Sequence, residues 1–406
     1  MPNTQLQQKV IRTLATAQVL NGLGVAGTVA AGSLLVSSVS NSETLAGLAQ
    51  TSSVLGAAAL ALPLARLTQI GGRRLALSMG LILGVIGSLL VISGGLNENL
   101  YLILLGTFLV GAASASGYQA RFAAIDLATP QRSSQQLSFV VWGSTIGAVA
   151  GPNLMQPSGD FARKLGFPEL VGPYFISAIT LTLAAAVILI FLRPDPYLTA
   201  NKLSSEKQKQ ITNKLALKHI LGNKLARFAI AAIAVGHVAM VSVMVMTPIH
   251  MAHVDVTLRI IGIVISIHVL GMYAFSPVVG LVSDRIGGVA TIKIGLVTLL
   301  ISSVIAGTSP AGDAIRLGVG LFLLGLGWSC TLIAGSTLLS QSVELNFKSA
   351  SQGASDLVMN LAGAGGGAVA GVIIATLSYG WLCLIASIPV AYLALTSLKL
   401  KPGLLK

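Results

Sequence analysis

Four ionisable residues lie inside long apolar stretches, where charge is costly and each such group is a candidate for function. His237 and His268 carry imidazole rings, which exchange protons near neutral pH. Asp356 supplies a carboxylate that can take up a proton or meet a cation, and Arg121 can bind an anionic group. These residue types predict a site for protons and polar solutes. The alternatives are structural: a neutral histidine bonded to a backbone carbonyl, or a salt bridge from Asp356 to Lys348.

Other side chains in the same stretches extend this set. Tyr273 and Trp328 offer aromatic surface that either lines a cavity or packs in the core. Arg121 follows Tyr118 by one helical turn and precedes Asp126 by five residues, so neutralising Asp126 is a second role open to it. The candidate residues for binding substrate or protons are Asn21, Tyr118, Arg121, His237, His268, Tyr273, Trp328 and Asp356.

Membrane-spanning helices must position these groups. The chain is 54% hydrophobic and 9% charged, whereas soluble domains contain roughly 25% charged residues. A helix needs about 20 apolar residues to cross a bilayer, and we predict twelve spans. Their approximate bounds are 13–38, 45–65, 75–95, 100–123, 136–156, 171–192, 226–249, 258–282, 289–307, 314–338, 351–377 and 379–398. The first is long and lacks a small-residue cleavage site, so we expect a retained helix and no signal peptide.

The formal net charge of +13 is distributed as in a membrane protein. With both termini in the cytoplasm, twelve spans leave only Arg163, Lys164, Arg259 and Arg316 on the outer side. The positive-inside rule explains this asymmetry. A nucleic-acid partner is therefore not needed to account for the charge, and the bilayer is the expected partner.

The chain divides into two six-span bundles, 1–193 and 226–406, joined by a polar cytoplasmic linker at 194–225. Residues 211–225 form either an amphipathic helix on the inner leaflet or a flexible connector. Charged and glycine residues repeat at an offset of 215–216. The matched pairs are Arg12 with Arg227, Arg132 with Lys348, Gly147 with Gly363, and Gly151 with Gly367. Transporters commonly contain such repeats, with the substrate site at the repeat interface.

A polar turn between two apolar stretches has the sequence Gly280-Leu-Val-Ser-Asp284-Arg285-Ile-Gly287. A partly matching copy lies 215 residues earlier and is followed by Arg73 and Arg74. This Gly-x-x-x-Asp-Arg-x-Gly pattern resembles the loop signature of the major facilitator superfamily. The resemblance implies an all-α membrane protein of twelve helices in two pseudo-symmetric halves that alternate access. It also implies that these loops latch one conformation. Asp284 is expected to cap the helix that follows it and to accept hydrogen bonds from backbone N–H groups or from arginine.

The first copy departs from the signature, because Gln69 replaces the aspartate and Ala65 the first glycine. Asp126, in a run similar to the family's Asp-x-x-x-Pro-x-x-Arg turn, is therefore the expected acidic partner of the arginines. A solvated helix end is the alternative for Asp126. The predicted latch residues are Arg73, Arg74, Asp126, Arg132, Gly280, Asp284, Arg285 and Gly287.

The fifth span carries Gly143, Gly147, Gly151 and Pro152. This spacing resembles the Gly-x-x-x-Gly-Pro element of drug:proton antiporters in the same superfamily, although the glycines that usually follow are replaced. The resemblance implies efflux, with uptake as the alternative direction. Our first hypothesis is proton-coupled export of a small amphipathic compound across the inner membrane of a prokaryote. Tight helix packing is the other explanation of the glycines.

Two other functions stay open. His250, His253 and Asp255, near several methionines, have usable spacing for a divalent metal that would be exported as cargo. A membrane sensor that has kept the fold without transport is the third hypothesis. No nucleotide-binding loop or catalytic constellation appears, so we expect no enzyme activity and no cofactor. A monomer is the expected state.

Overall fold

The computed structural model describes residues 4–42, 45, 47–203, 213–252 and 258–400, and these are helical with no strand. The helices are α1 (Thr4–Ser40), α2 (Leu48–Leu96), α3 (Leu100–Ala123), α4 (Ser133–Asn153), α5 (Met155–Lys164), α6 (Gly172–Phe191), α7 (Pro196–Leu203), α8 (Asn213–Gly222), α9 (Lys224–Ala252), α10 (Leu258–Val269), α11 (Ser276–Ile286), α12 (Gly288–Gly307), α13 (Ala314–Ser342), α14 (Leu345–Thr376) and α15 (Tyr379–Ser397). A π-helical turn, Leu270–Ala274, joins α10 to α11, and 3₁₀ turns occupy Pro130–Arg132 and Glu169–Val171.

Ten helices in the described ranges are long and apolar enough to cross a membrane, and α4 with α5 form an eleventh span bent by 57°. The helix α2 runs for 49 residues, about 73 Å at ~1.5 Å per residue, more than twice the ~30 Å hydrocarbon core. Its backbone leaves helical geometry at Gly72, where φ is 80°. Because α2 therefore contains two spans, the described residues hold twelve, which confirms the predicted fold class.

One compact unit comprises Met1–Ala128, Gly143–Asn213 and Gln352–Asn360. Within it, α2 packs along α3, and α6 packs against α1 and α2. Glycines let these backbones approach closely: a side chain at Gly56 would collide with the carbonyl of Phe108. Leu35, Ile103 and Tyr174 belong to a buried cluster in this unit.

The other unit comprises Thr129–Trp142, Lys214–Ser351 and Leu361–Lys406. In it, α13 packs against α9, α10 and α12, while α15 packs against α9 and α12. The most apolar window of α13 is 78% buried, compared with 28% for α15. Side chains on α13 are therefore held by neighbours on several sides, which suits that helix to position polar groups.

The two units differ from the predicted bundles at 129–142 and 352–360, each of which groups with the opposite part of the sequence. The bundles 1–193 and 226–406 and the linker 194–225 stay a prediction. The duplication has a backbone counterpart, because Gly72 and Gly287 lie 215 residues apart and both have positive φ, 80° and 90°. Only glycine adopts that conformation at little steric cost.

Candidate functional site

A fully buried ion pair joins Arg121 on α3 to Asp356 on α14. Arg121 Nη2 lies 2.6 Å from Asp356 Oδ1, and the side chains are 2% and 0% exposed. Arg121 Nη1 donates to the carbonyl of Tyr118 at 2.9 Å, and the guanidinium lies 4.5 Å from the ring centre of Phe122. The other carboxylate oxygen, Asp356 Oδ2, is buried without a hydrogen-bond partner among the described residues. Two opposite charges and one unused acceptor thus meet inside a single unit.

The structure therefore corrects two sequence-based options for these charges. Arg121 was a candidate to neutralise Asp126, and Lys348 a candidate to neutralise Asp356. Asp126 instead forms its ion pair with Arg73, and Asp356 forms its ion pair with Arg121. Both observed partners are far away in sequence, so helical spacing alone did not identify them.

Asn21 lies beside the same stretch of α3. Its Nδ2 donates to the carbonyl of Ala113 at 3.2 Å, and its Oδ1 is buried without a partner in the described chain. Gly117 makes room for the amide, since a Cβ there would lie 2.5 Å from Asn21 Nδ2. Gln18 also contacts Gly117 and donates to Ser144 Oγ at 2.8 Å. Sequence reasoning missed Gly117, because one glycine among many carries no signal of its neighbours.

His237, Trp328 and Tyr273 form an aromatic group in the second unit. Trp328 Nε1 donates to His237 Nδ1 at 3.0 Å, so this ring nitrogen is an acceptor and the proton of a neutral imidazole sits on Nε2. The rings of Tyr273 and Trp328 meet edge to face at 5.7 Å. Tyr273 lies on the π-helical turn, a distortion that often occurs at functional sites.

His268 is completely buried near that turn. Its Nδ1 lies 2.7 Å from the carbonyl of Leu321, so Nδ1 carries the proton. Its Nε2 has no hydrogen-bond partner in the described ranges. A neutral ring bonded to a backbone carbonyl is the structural alternative that the sequence left open for His268, and the geometry favours it over a proton-carrying role.

Of the three proposed metal ligands, the structure describes His250. His250 stacks on Tyr379 with ring centres 4.2 Å apart, and its Nε2 lies 3.4 Å from the carbonyl of Ser309. His253 and Asp255 lie outside the described residues. The described part of the chain holds no group of three or more His, Cys, Asp or Glu side chains arranged to bind a metal.

In the first loop, Arg73 is the centre of a polar network. Its Nε and Nη2 donate to the two carboxylate oxygens of Asp126 at 2.7 and 3.1 Å. Nη2 also donates to Gln352 Oε1 at 2.6 Å, and the guanidinium lies 5.7 Å from the ring centre of Tyr197. Arg73 is 1% exposed. Arg132, by contrast, is exposed at the end of the 3₁₀ turn.

Asp195 completes this loop from the segment between α6 and α7. Its Oδ2 accepts from the backbone N–H of Arg74 at 2.7 Å, and its Oδ1 accepts from that of Leu198 at 3.1 Å. A Cβ at Gly72 would lie 2.5 Å from the same carboxylate. Sequence reasoning sought a substitute for the acid missing at Gln69 and did not consider Asp195, because the sequence of the linker carries no signal of a contact with the first loop.

In the second loop, Asp284 accepts hydrogen bonds from the backbone N–H groups of Ser134 and Gln135, both at 2.9 Å. Ser134 Oγ and Ser283 Oγ are 3.0 Å apart. The expectation that Asp284 caps the next helix is wrong: it caps α4, and Gly287 stands at the N-terminus of α12. A carboxylate at a helix N-terminus satisfies backbone donors and favours the helix dipole.

Gly280 and Arg285 are the remaining predicted latch residues of the second loop. Gly280 permits the approach to α4, because a side chain there would collide with Ser138 Oγ. Arg285 is exposed. The loop therefore joins α11 to α4 through one carboxylate and one glycine.

Neutralising Asp284 is expected to loosen α11 from α4. Asp284→Asn leaves one acceptor for two N–H groups, a loss of about 1–2 kcal/mol, or roughly tenfold in the opening equilibrium. The labelling rate of a cysteine at the buried position Ser283, measured in membrane vesicles, should rise by about that factor. Gln69→Leu, which removes no charge, is the comparison and should change the rate less. An equal effect of the two substitutions would contradict the prediction.

The antiporter-like glycines form a packing surface between α4 and α1. A Cβ at Gly147 would lie 2.5 Å from Gly22 Cα, and one at Gly151 would lie 2.9 Å from the nitrogen of Gly27. Gly143 faces the carbonyl of Ala15 in the same way. The 57° bend between α4 and α5 follows Gly151 and Pro152. This ridge provides close helix contact, and a role in transport direction stays a prediction.

Comparisons with known proteins agree with this architecture. The family model for the Major Facilitator Superfamily matches residues 14–367. The uncharacterized MFS-type transporter YdeG of Bacillus subtilis is 35% identical over 385 residues, which cover 94% of this chain and 90% of that protein. The riboflavin transporter RfnT of Brucella anthropi is 26% identical over 359 residues, covering 88% of this chain and 87% of RfnT.

A solved structure shows the same fold at low sequence identity. The fucose:proton symporter FucP of E. coli has a TM-score of 0.72 and 16% identity, with 96% of this chain and 98% of FucP covered. Together with the twelve spans, the repeated loop and the family match over most of the sequence, this fold identifies the chain as a member of the major facilitator superfamily of membrane transporters.

Proposed function

We propose that this transporter exports a small amphipathic organic compound by alternating access and that inward proton flow drives it. The prokaryotic inner membrane is its proposed location, with both termini in the cytoplasm and the chain acting as a monomer. The observation that carries the proposal is the buried pair of Arg121 and Asp356. Transporters bury ionisable residues at high cost, and such residues mark ion and substrate pathways.

The pair has the properties that proton coupling requires. Burying two charges is expensive unless each neutralises the other. Protonation of Asp356 removes the charge that holds Arg121, so one proton changes the contact between α3 and α14. Asp356 Oδ2, which has no partner among the described residues, is the atom available to receive that proton. A carboxylate that alternates between a proton and an arginine couples proton uptake to helix contact.

Two features support an organic solute. The aromatic group of His237, Tyr273 and Trp328 provides flat apolar surface beside polar ring atoms. The similarity to a protein named as a riboflavin transporter also favours an amphipathic organic solute. The glycine pattern of Gly143, Gly147 and Gly151, which resembles that of antiporters, supports export as the proposed direction.

The loop residues are proposed to set the conformational equilibrium. The networks around Arg73 and Asp284 tie α2 to α3 and α11 to α4 within their respective units. Each must break or shift if those helices move. We assign them a latching role and place substrate and proton binding at the Arg121 and Asp356 pair.

Purified full-length protein in liposomes with a trapped pH-sensitive dye tests the proposal. With an imposed pH gradient, adding a transported compound should release protons at a rate above that of protein-free liposomes. Riboflavin and a panel of amphipathic organic compounds are the first solutes, with divalent metals in parallel. Proton release by metals alone would replace this proposal with metal export. If none of the solutes causes proton release, a sensor without transport is favoured.

A further inference from the structure

Several buried side-chain oxygens in the unit that contains α3 have no hydrogen-bond partner in the described chain, Gln119 Oε1 and Ser355 Oγ among them. Two such oxygens belong to residues that contact the side of α3 carrying Gly117 and Arg121. They are Asn21 Oδ1 and Asp356 Oδ2, and neither receives a hydrogen bond from the described residues. Asn21 is 6% exposed and Asp356 is 0% exposed. Buried polar atoms are nearly always hydrogen-bonded, so each exception needs a reason. Neither of these two oxygens has a donor in the described chain, so a donor from a bound molecule would satisfy them.

Asn21 and the pair of Arg121 with Asp356 contact neighbouring turns of α3. The Asn21 amide packs against Gly117, one helical turn from Arg121, which corresponds to about 6 Å along the axis. Side chains on a helix turn back toward its N-terminus. Arg121 does so, because its Nη1 reaches the carbonyl of Tyr118. The Asp356 carboxylate bound to that guanidinium is therefore drawn toward the turn that carries Gly117 and Asn21.

The absence of a side chain at Gly117 keeps this turn open to the amides. A Cβ there would lie 2.5 Å from Asn21 Nδ2 and 3.3 Å from Gln18 Nε2. Alanine at this position would push both amides away from α3. The backbone itself is thus shaped for polar groups that project from α1.

The charges at this turn select the kind of donor. Arg121 and Asp356 neutralise each other at 2.6 Å. A cationic solute would leave a net positive charge in a buried site, and an anionic solute would place a second negative charge beside Asp356. Both arrangements are costly in a low-dielectric interior. A neutral group that donates hydrogen bonds, such as a hydroxyl, satisfies both oxygens at no such cost.

We propose that Asn21 Oδ1 and Asp356 Oδ2 bind the hydroxyl groups of a neutral, hydroxyl-bearing organic solute, in a site on α3 shaped by Gly117. This inference rests on the proposed function and names the chemical class of its solute. The aromatic part of an amphipathic compound would then contact apolar surface elsewhere, while its hydroxyls are recognised here. A site built to hydrogen-bond a hydroxyl rejects the analogue that lacks it.

Matched pairs of neutral compounds test the site by equilibrium binding to the purified full-length protein. Riboflavin carries a ribityl chain with four hydroxyls, and lumiflavin has a methyl group in its place. Phenyl glucoside and anisole form a second pair. Isothermal titration calorimetry should show that the hydroxylated member of at least one pair binds about tenfold tighter or more, as expected for one or two hydrogen bonds.

Variants separate hydroxyl recognition from a general effect on folding. Asn21→Leu removes the acceptor and should weaken binding of the hydroxylated compound about tenfold. The affinity for the matched compound without hydroxyls should not change. Asn21→Gln keeps an amide oxygen without adding a charge and should retain part of the preference for the hydroxylated compound. Gly117→Ala should reduce it by displacing the Asn21 amide. Asn97→Leu, at an exposed helix end, is the control and should change neither affinity.

Three results would overturn the inference. They are equal binding within both pairs, equal weakening of both members by Asn21→Leu, and tighter binding of a quaternary ammonium analogue than of the neutral compound. The measurement uses no pH gradient. Selective binding without proton-driven flux would therefore contradict the proposed coupling but support the hydroxyl site. Proton-coupled flux of solutes without hydroxyls would contradict the hydroxyl site but support the proposed coupling.

Discussion

Asp356→Asn is expected to reduce proton-driven flux at least about a hundredfold and to reduce solute exchange at equal pH much less. Asparagine cannot alternate between a charged and a protonated form, so the proton loses its binding group. The remaining Arg121 charge is buried at 2% exposure, and breaking such a pair costs about 3–5 kcal/mol. Gradient-driven and exchange flux in liposomes, measured on the same preparation, separate loss of coupling from loss of the transport cycle.

Two further variants make this result interpretable. Asp313→Asn changes a carboxylate that caps α13 through Arg316 N at 3.0 Å, and it should leave proton-driven flux within about twofold. Asp356→Glu keeps the carboxylate and should retain part of the coupling if the protein folds normally. Full proton-driven flux in Asp356→Asn, with normal protein yield, would show that the coupling group lies elsewhere.

Arg73→Leu is expected to destabilise the fold by about 3–5 kcal/mol. The substitution leaves Asp126 charged at 7% exposure without the two bonds that Arg73 provides. It also removes the donor to Gln352 Oε1. The double substitution Arg73→Leu with Asp126→Leu should recover much of the loss, since replacing a buried pair by apolar groups is often close to neutral. Denaturant unfolding of the purified protein measures both.

The neighbouring arginine supplies a matched control for that experiment. Arg74 donates to Asp195 through its backbone N–H, which a side-chain substitution leaves in place. Arg74→Leu should therefore change stability by no more than about 0.5 kcal/mol. Similar losses for Arg73→Leu and Arg74→Leu, or no recovery in the double variant, would contradict the assignment of Arg73 as the centre of the network.

The fold was predictable because it depends on local and repeated signals. Apolar stretches of spanning length mark the helices, and the turn that ends at Gly287 identifies the superfamily from only a few residues. Gly72 and Gly287 also had to be glycine, since both adopt positive φ. These features can be read from segments of at most about 20 residues.

The side-chain partners were much harder to predict, because they depend on packing between distant helices. Arg121 and Asp356 are 235 positions apart, and no periodicity links them. Asp284 was expected to cap the helix that follows it, but its partners, Ser134 and Gln135, lie about 150 residues earlier. The roles proposed for these residues in transport stay predictions.

The position of Asp195 has a consequence for recombining this protein with its relatives. The Gly72 turn receives its carboxylate from a segment that follows the sixth span, whereas the Gly287 turn contains its own acid, Asp284. A chimera that joins the first six spans to a foreign second half directly after Arg193 would lose the carboxylate bound to Arg74. Joining the halves after Leu203, where α7 ends, keeps that carboxylate. Gln352 and Asp356, the partners of Arg73 and Arg121, still have to be supplied by the second half. An N-terminal segment that keeps the Gly72 turn intact therefore extends ten residues beyond the predicted bundle.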